Sequence, residues 1–182
     1  MHREVHARGF TLIELMLTLA VAAILAMIGA PAMAGLLARV SERNAESAVA
    51  NVLRQARTAA VMHNTRTVVC PSRDGRHCRS GDDWQHGWIV GADADHDGQP
   101  DPGSRVLAVA EAMPPGTRVI TSSGRGHVTF QPSGSAGGSN VRFTICHARR
   151  RDGKSVVVSN SGRVRVATPE PDRLKACLAG LR

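Results

Sequence analysis

Arg8-Gly9-Phe10-Thr11-Leu12-Ile13-Glu14-Leu15 opens a run of 24 uncharged residues, Leu15 to Ala38, that ends only at Arg39. Ahead of it lies a short leader carrying Arg3, Glu4 and Arg8. About 20 apolar residues, rising about 1.5 Å each, cross the hydrocarbon core of a bilayer as a helix, so the run is long enough to span. Glu14 is the odd residue. A carboxylate in a membrane helix costs up to about 2.5–3.5 kcal/mol, so Glu14 is expected to serve a partner rather than the anchor. Two plainer readings compete. Ala32-Met33-Ala34 has the small-x-small form of a secretory cleavage site, but the apolar run exceeds the usual core of about 7–15 residues and includes a carboxylate. A bare anchor leaves Glu14 without a purpose.

A basic leader ending in glycine and followed by Phe10-Thr11-Leu12-Ile13-Glu14 resembles the class III signal of type IV pilins and of the pseudopilins of type II secretion. The resemblance implies that a prepilin peptidase cuts after Gly9 and methylates the new amino terminus at Phe10. It implies too that Glu14 pairs with the N-terminal ammonium of a neighbouring subunit in a filament. The implied partners are therefore other pilins or pseudopilins, the peptidase, and the inner membrane before assembly.

The 182 residues suit one domain behind a helical anchor, with enough chain left for a compact core. Three Phe, two Trp and no Tyr leave burial mainly to Val, Ile, Leu and Ala, which outside helices favours strands. The net charge of +8 is unevenly spread. Residues 66–111 hold five basic and eight acidic side chains, whereas residues 142–182 hold ten basic and three acidic. Such a C-terminal surplus attracts polyanions, nucleic acid or anionic head groups among them; it also serves plain solubility.

Cys70, Cys78, Cys146 and Cys177 form an even set in a chain that its leader sends outward. Three pairings are open. The local one, Cys70 to Cys78 and Cys146 to Cys177, closes loops worth about 2.5 and 3.5 kcal/mol on chain-entropy grounds. Zinc is the alternative use, but no C-x-x-C or short His spacing supports it.

Along the chain, one helix is expected from Phe10 to about Met62, apolar on all sides at first and kinked near Pro31. It then becomes amphipathic: Ala45, Val49, Val52, Ala56 and Ala60 recur at spacings of three and four, while Arg39, Glu42, Arg43, Glu46, Arg54 and Arg57 fall mostly on other faces. That stripe needs a sheet to cover it, giving a helix-on-sheet layer. Beyond residue 65 the period falls to two. Eight strands are predicted: Arg66 to Cys70, Trp88 to Val90, Arg105 to Val109, Arg118 to Thr121, Val128 to Phe130, Val141 to Cys146, Ser155 to Ser159 and Arg163 to Ala167. Asn160-Ser161-Gly162 reads as the turn joining the last two, and a short helix tethered by Cys177 is predicted for the tail. The fold class is α+β.

Asp93-x-Asp95-x-Asp97-Gly98-x-x-Asp101 copies the opening of a calcium loop, but Ser104 stands where a bidentate Glu belongs and no helices flank it. An acidic turn is the simpler reading. No G-x-S-x-G, H-E-x-x-H or phosphate-cradling glycine loop is present. Cys146 and His147, adjacent in a strand, point to opposite faces and are poorly placed for proton transfer. No catalytic residue, metal site or cofactor is expected.

The basic end is more informative. After the predicted turn, Arg163 and Arg165 share one strand face while Val164 and Val166 face the core. Guanidinium forks match phosphate oxygens bidentately, and a pair about 7 Å apart can hold successive backbone phosphates. Arg149, Arg150, Arg151, Lys154, Arg173 and Lys175 are expected to join them in one patch if turn and tail fold together. With few aromatics nearby, contact would be sequence-independent and salt-sensitive. The competing reading is an edge strand charged against edge-to-edge pairing.

Arg57-Thr58-Ala59-Ala60-Val61, Val69-Cys70-Pro71-Ser72, Gly87-Trp88-Ile89-Val90, the Asp93 to Gly98 loop and Ser161-Gly162-Arg163-Val164-Arg165 together resemble the GspH/FimT family along most of the chain. The resemblance implies a type IV pilin-like fold, with a long N-terminal helix on a β-rich head, in a minor component of a pilus or secretion pseudopilus. The Gly-Arg-x-Arg ending is similar to that of FimT, a minor pilin of naturally competent bacteria that binds extracellular DNA, and places that role on Arg163 and Arg165. The expected division is a leader at 1–9, a transmembrane and assembly helix at 10–38, and a head at 39–182. The head comprises amphipathic helix 39–62, β-rich 65–168 and basic tail 169–182. Its expected location is a single-pass inner-membrane protein with a periplasmic head, later part of a filament. After Ala167 the resemblance thins.

Overall fold

The computed structural model describes residues 10–104, 106–137 and 140–181. Helix α1 runs from Leu12 to Met62, its helical assignment unbroken through Pro31. Two compact units divide the chain, residues 1–37 and 38–182. In the first, the apolar helix is long enough to cross a membrane and its side chains are solvent-facing, Phe10, Ile13 and Leu17 among them. The backbone N–H of Glu14 bonds to Thr11 Oγ1, which satisfies one of the open donors of the first turn.

The second unit is self-contained, because every buried side chain among the described residues lies at or beyond Ala38. Strands β1 (Thr67–Pro71), β2 (Trp88–Ala92), β3 (Ala108–Ala110), β4 (Thr117–Thr121), β5 (Val128–Phe130), β6 (Val141–His147), β7 (Gly153–Val158) and β8 (Val164–Ala167) are followed by helix α2, Pro171–Ala179. The single covering sheet expected from the pattern is in fact two. One has the order β3-β2-β1-β5, the other β4-β6-β7-β8, and all pairings are antiparallel.

Both sheets close on the predicted helix stripe: Ala45, Val49, Val52, Ala56 and Ala60 are buried, with Ala50 and Leu53 filling the same face. Alanines and valines of the helix share one core with Val and Ile from alternate strand positions of both sheets. The scarce aromatics occupy the centre. Trp84 stands edge-on to Phe143 with centroids 4.9 Å apart and lies 6.4 Å from Trp88. On the far side of β4 and β6, α2 packs through Leu174, Cys177 and Leu178 on Ile120 and Cys146.

Disulfides join Cys70 to Cys78 and Cys146 to Cys177, the local pairing. The second bridge leaves Cys146 no thiol beside His147. Burial, with Arg149 and Arg150 adding to it, pushes the His147 imidazole below its ordinary range.

Candidate nucleic-acid interface

The turn between β7 and β8 is built by Ser159 and Gly162. Gly162 donates its N–H to the Ser159 carbonyl at 2.8 Å, while Ser159 N–H reaches the Arg163 carbonyl at 3.0 Å. Gly162 has φ +75°, and a Cβ there would lie 1.9 Å from the Gly134 carbonyl oxygen. Only glycine permits this docking of the turn on the loop at 131–136, which the Ala136 N–H to Asn160 carbonyl bond also fastens. Gly162→Ala is therefore expected to cost about 1–3 kcal/mol, read as a lowered melting temperature of the head, with the turn that presents Arg163 displaced.

Arg163 closes this turn, its N–H bonded to Ser159 Oγ at 3.2 Å, and Arg165 lies two residues on, paired across to Val157. Both side chains are exposed, and neither forms an ion pair among the described residues. Val164 packs against the main core, but Val166 is 49% exposed, contrary to expectation. Since β8 is an edge strand, Val166 has a strand neighbour on one side only.

The other predicted cations do not gather into one patch. Arg149, Arg150 and Arg151 sit in the turn before β7, and Arg163 in the turn after it. Six residues of strand at about 3.3 Å each hold the two turns about 20 Å apart. Arg149 and Arg151 are exposed at that far end, and Lys154 lies near it, opposite Ile145.

Arg150 is corrected outright. Its Nε lies 2.7 Å from Glu42 Oε2 and its Nη2 2.5 Å from Asp152 Oδ2, which commits the guanidinium to carboxylates. Glu42, expected off the buried stripe, is 2% exposed. Burial raises its pKa above the ordinary 4.5, and the Arg150 charge opposes that rise.

Arg173 is half-committed: it bonds to the Thr121 carbonyl and to Ser123 Oγ, with Asp82 at 3.9 Å. Lys175 is exposed, 3.8 Å from Asp172. Two cations near the Arg163 turn escaped the sequence reading. Arg142, on β6, shares a cross-strand row with Val157 and Arg165. Arg57, on α1, places its guanidinium beside the backbone of Gly134 and Gly162.

The acidic loop is bonded internally. Asp93 is fully buried, with Oδ2 3.0 Å from Arg66 Nε and Oδ1 accepting from Gly98 N–H. Asp101 accepts from Ala94 N–H, and Asp97 from Gln99 N–H. Carboxylate oxygens of Asp93, Asp95 and Asp101 lie within 4.8 Å of one another. Backbone N–H donors reach all three, Asp95 Oδ1 accepting from Asp97 N–H at 3.3 Å. Gly9 lies outside the described residues; Phe10 and Glu14 are exposed.

An apolar N-terminal helix of membrane-spanning length, continuing into a helix buried on antiparallel sheets, defines a type IV pilin-like subunit. The chain belongs to the family described as type II transport protein GspH, which matches residues 46–162. The prokaryotic N-terminal methylation motif matches residues 6–30. Among solved structures it is similar to the type IV minor pilin FimU of Pseudomonas aeruginosa PAO1. The TM-score is 0.59 at 20% identity, covering 72% of this chain and 95% of that one. A second crystal form of FimU matches with TM-score 0.56 at 20% identity, covering 70% and 97%. At such identity the likeness is one of fold. No curated protein matches the chain.

Proposed function

We propose that this protein is a minor pilin that enters a type IV pilus and binds extracellular DNA without regard to sequence, supporting uptake in natural transformation. Prepilin peptidase cuts after Gly9 and methylates Phe10, the helix holds the subunit in the inner membrane with its head in the periplasm, and Glu14 pairs with a neighbouring subunit during assembly. What carries the DNA reading is the pair of exposed guanidinium groups at Arg163 and Arg165, on a turn whose geometry Gly162 sets. They match a phosphodiester backbone in charge and donor geometry, and no aromatic surface accompanies them to read bases.

The test is a titration of the head, residues 38–182, with duplex DNA across a salt series. Arg163→Ala with Arg165→Ala is expected to weaken binding by about ten- to a hundredfold at low salt. It should also flatten the log–log salt dependence by about 1.8, two phosphates at about 0.9 each. Unchanged affinity in the double variant rules out these two residues as the contact. The family description favours a second reading, a structural pseudopilin of type II secretion with no nucleic-acid role. A wild-type head that ignores DNA at low salt decides for it.

A further inference from the structure

Arg142 and Glu170 form an ion pair in the lining of a cleft of about 360 Å³, which Arg165, Arg173, Ser122 and Asn140 also line. The register places Arg142 and Arg165 on one face, either side of Val157. Two inter-strand steps of about 4.8 Å put their backbones about 10 Å apart, within the combined reach of two arginine side chains. Arg142 donates to the Thr168 carbonyl at 3.4 Å and lies 3.1 Å from Glu170 Oε1.

Glu170 occupies the N-cap of α2, yet its side chain does not cap its own helix. Its side chain is 61% exposed and turned instead to Arg142, whose side chain is only 25% exposed. A half-buried guanidinium thus carries a solvent-facing anion that water can readily receive. Because the Glu170 side of the pair is open to water, another anion can take its place on Arg142 at little cost.

We propose that the cleft is a third phosphate position on the DNA-binding face, with Glu170 as a built-in competitor that a DNA phosphate displaces from Arg142. The inference rests on the DNA reading above and extends it from Arg163 and Arg165 across the sheet to Arg142. Glu170 keeps the site occupied when DNA is absent and weakens binding by the work of its own displacement. It thereby sets the affinity of the face and the salt concentration at which DNA is released.

Duplex DNA titrations of the head over a salt series test this with Glu170→Gln, Arg142→Ala and the double variant, beside wild type. Glu170→Gln alters an exposed side chain and preserves its shape. It is expected to tighten binding by about three- to tenfold at low salt and to steepen the log–log salt slope by up to about 0.9, because in the wild type the charge of Glu170 offsets that of Arg142 at this phosphate. The gain should vanish in the Arg142→Ala background, whereas Asp172→Asn, which removes an equivalent negative charge two residues away, should give less than half of it. Glu170→Gln without effect overturns the inference and leaves the Arg163 and Arg165 reading intact. A gain that persists without Arg142, or that Asp172→Asn reproduces, overturns it as a mere change in net charge. A wild-type head that fails to bind DNA removes both.

Discussion

Arg150→Ala is expected to destabilise the head by about 3–5 kcal/mol at neutral pH, the cost of leaving a buried carboxylate without its counter-charge. Glu42 sits on α1 four residues beyond the apolar run, 2% exposed, with Arg150 at 2.7 Å. Oε1 of Glu42 has no hydrogen-bond partner, so Arg150 supplies most of its compensation. The pH dependence follows from the direction of the Glu42 shift. A carboxyl whose folded pKa lies above the unfolded value binds its proton more tightly in the native state. Stability is therefore lost as pH rises from about 4.5 through the elevated pKa. Without Arg150 the pKa rises further and the loss deepens. The deficit of the variant should accordingly be largest near pH 7 and shrink as pH falls and Glu42 takes up its proton. Urea midpoints of both proteins at two pH values measure it. Glu42→Met with Arg150→Met should recover much of the stability, since an apolar pair of similar volume removes both desolvation costs. A deficit that is small or independent of pH would show that the pair is solvated.

The same pair explains what the letters concealed. Arg149-Arg150-Arg151 reads as one basic cluster, but the middle residue turns to a partner more than a hundred positions earlier, and nothing local signals it. Glu42 looked like a solvated helix face because its neighbours Arg39 and Arg43 are charged. The helix stripe was legible, since Ala45 to Ala60 follow a local 3.6-residue period. So were the strands and the Asn160-Ser161-Gly162 turn, which depend on alternation and on the conformational freedom of Gly162. The division into two sheets was not. It depends on β5 joining β1 and on β4 joining β6, pairings between distant segments that periodicity cannot rank. The exposure of Arg163 and Arg165 was legible because they follow a recognisable turn. Arg142 was missed because it is a single charge in an apolar strand, Val141 to His147, and only the register sets it beside Arg165.

Removal of the Cys146–Cys177 bridge, as Cys146→Ala with Cys177→Ala, is expected to lower stability by about 3.5 kcal/mol on loop-closure grounds. For a domain of this size the melting temperature should fall by about 8–15 °C. The bond fastens α2 to β6 across a sequence separation of 31 residues, and few other contacts could replace it. Leu174 and Leu178 are only half-buried, and the helix has no side-chain N-cap and no basic residue in its last turn. Arg118, reaching from β4 to the carbonyls of Ala176 and Cys177 at 3.4 Å, supplies its terminal capping, and Arg173 anchors it to Thr121 and Ser123. These bonds persist only while α2 stays docked. Without the bridge, α2 should undock well below the melting point of the remaining head, so limited proteolysis ought to cleave near Pro169 to Pro171 before the β-rich part unfolds. The bridge between Cys70 and Cys78 closes a shorter loop on β1 of the other sheet and does not join α2, so its loss should leave that cleavage pattern unchanged. Should the variant lacking Cys146 and Cys177 melt with the wild type and resist protease equally, the tail is held by its packing and the disulfide contributes little. Undocking also carries Glu170 away from Arg142. If the cleft binds phosphate as proposed, this variant should bind DNA with a slope nearer that of Glu170→Gln than of wild type.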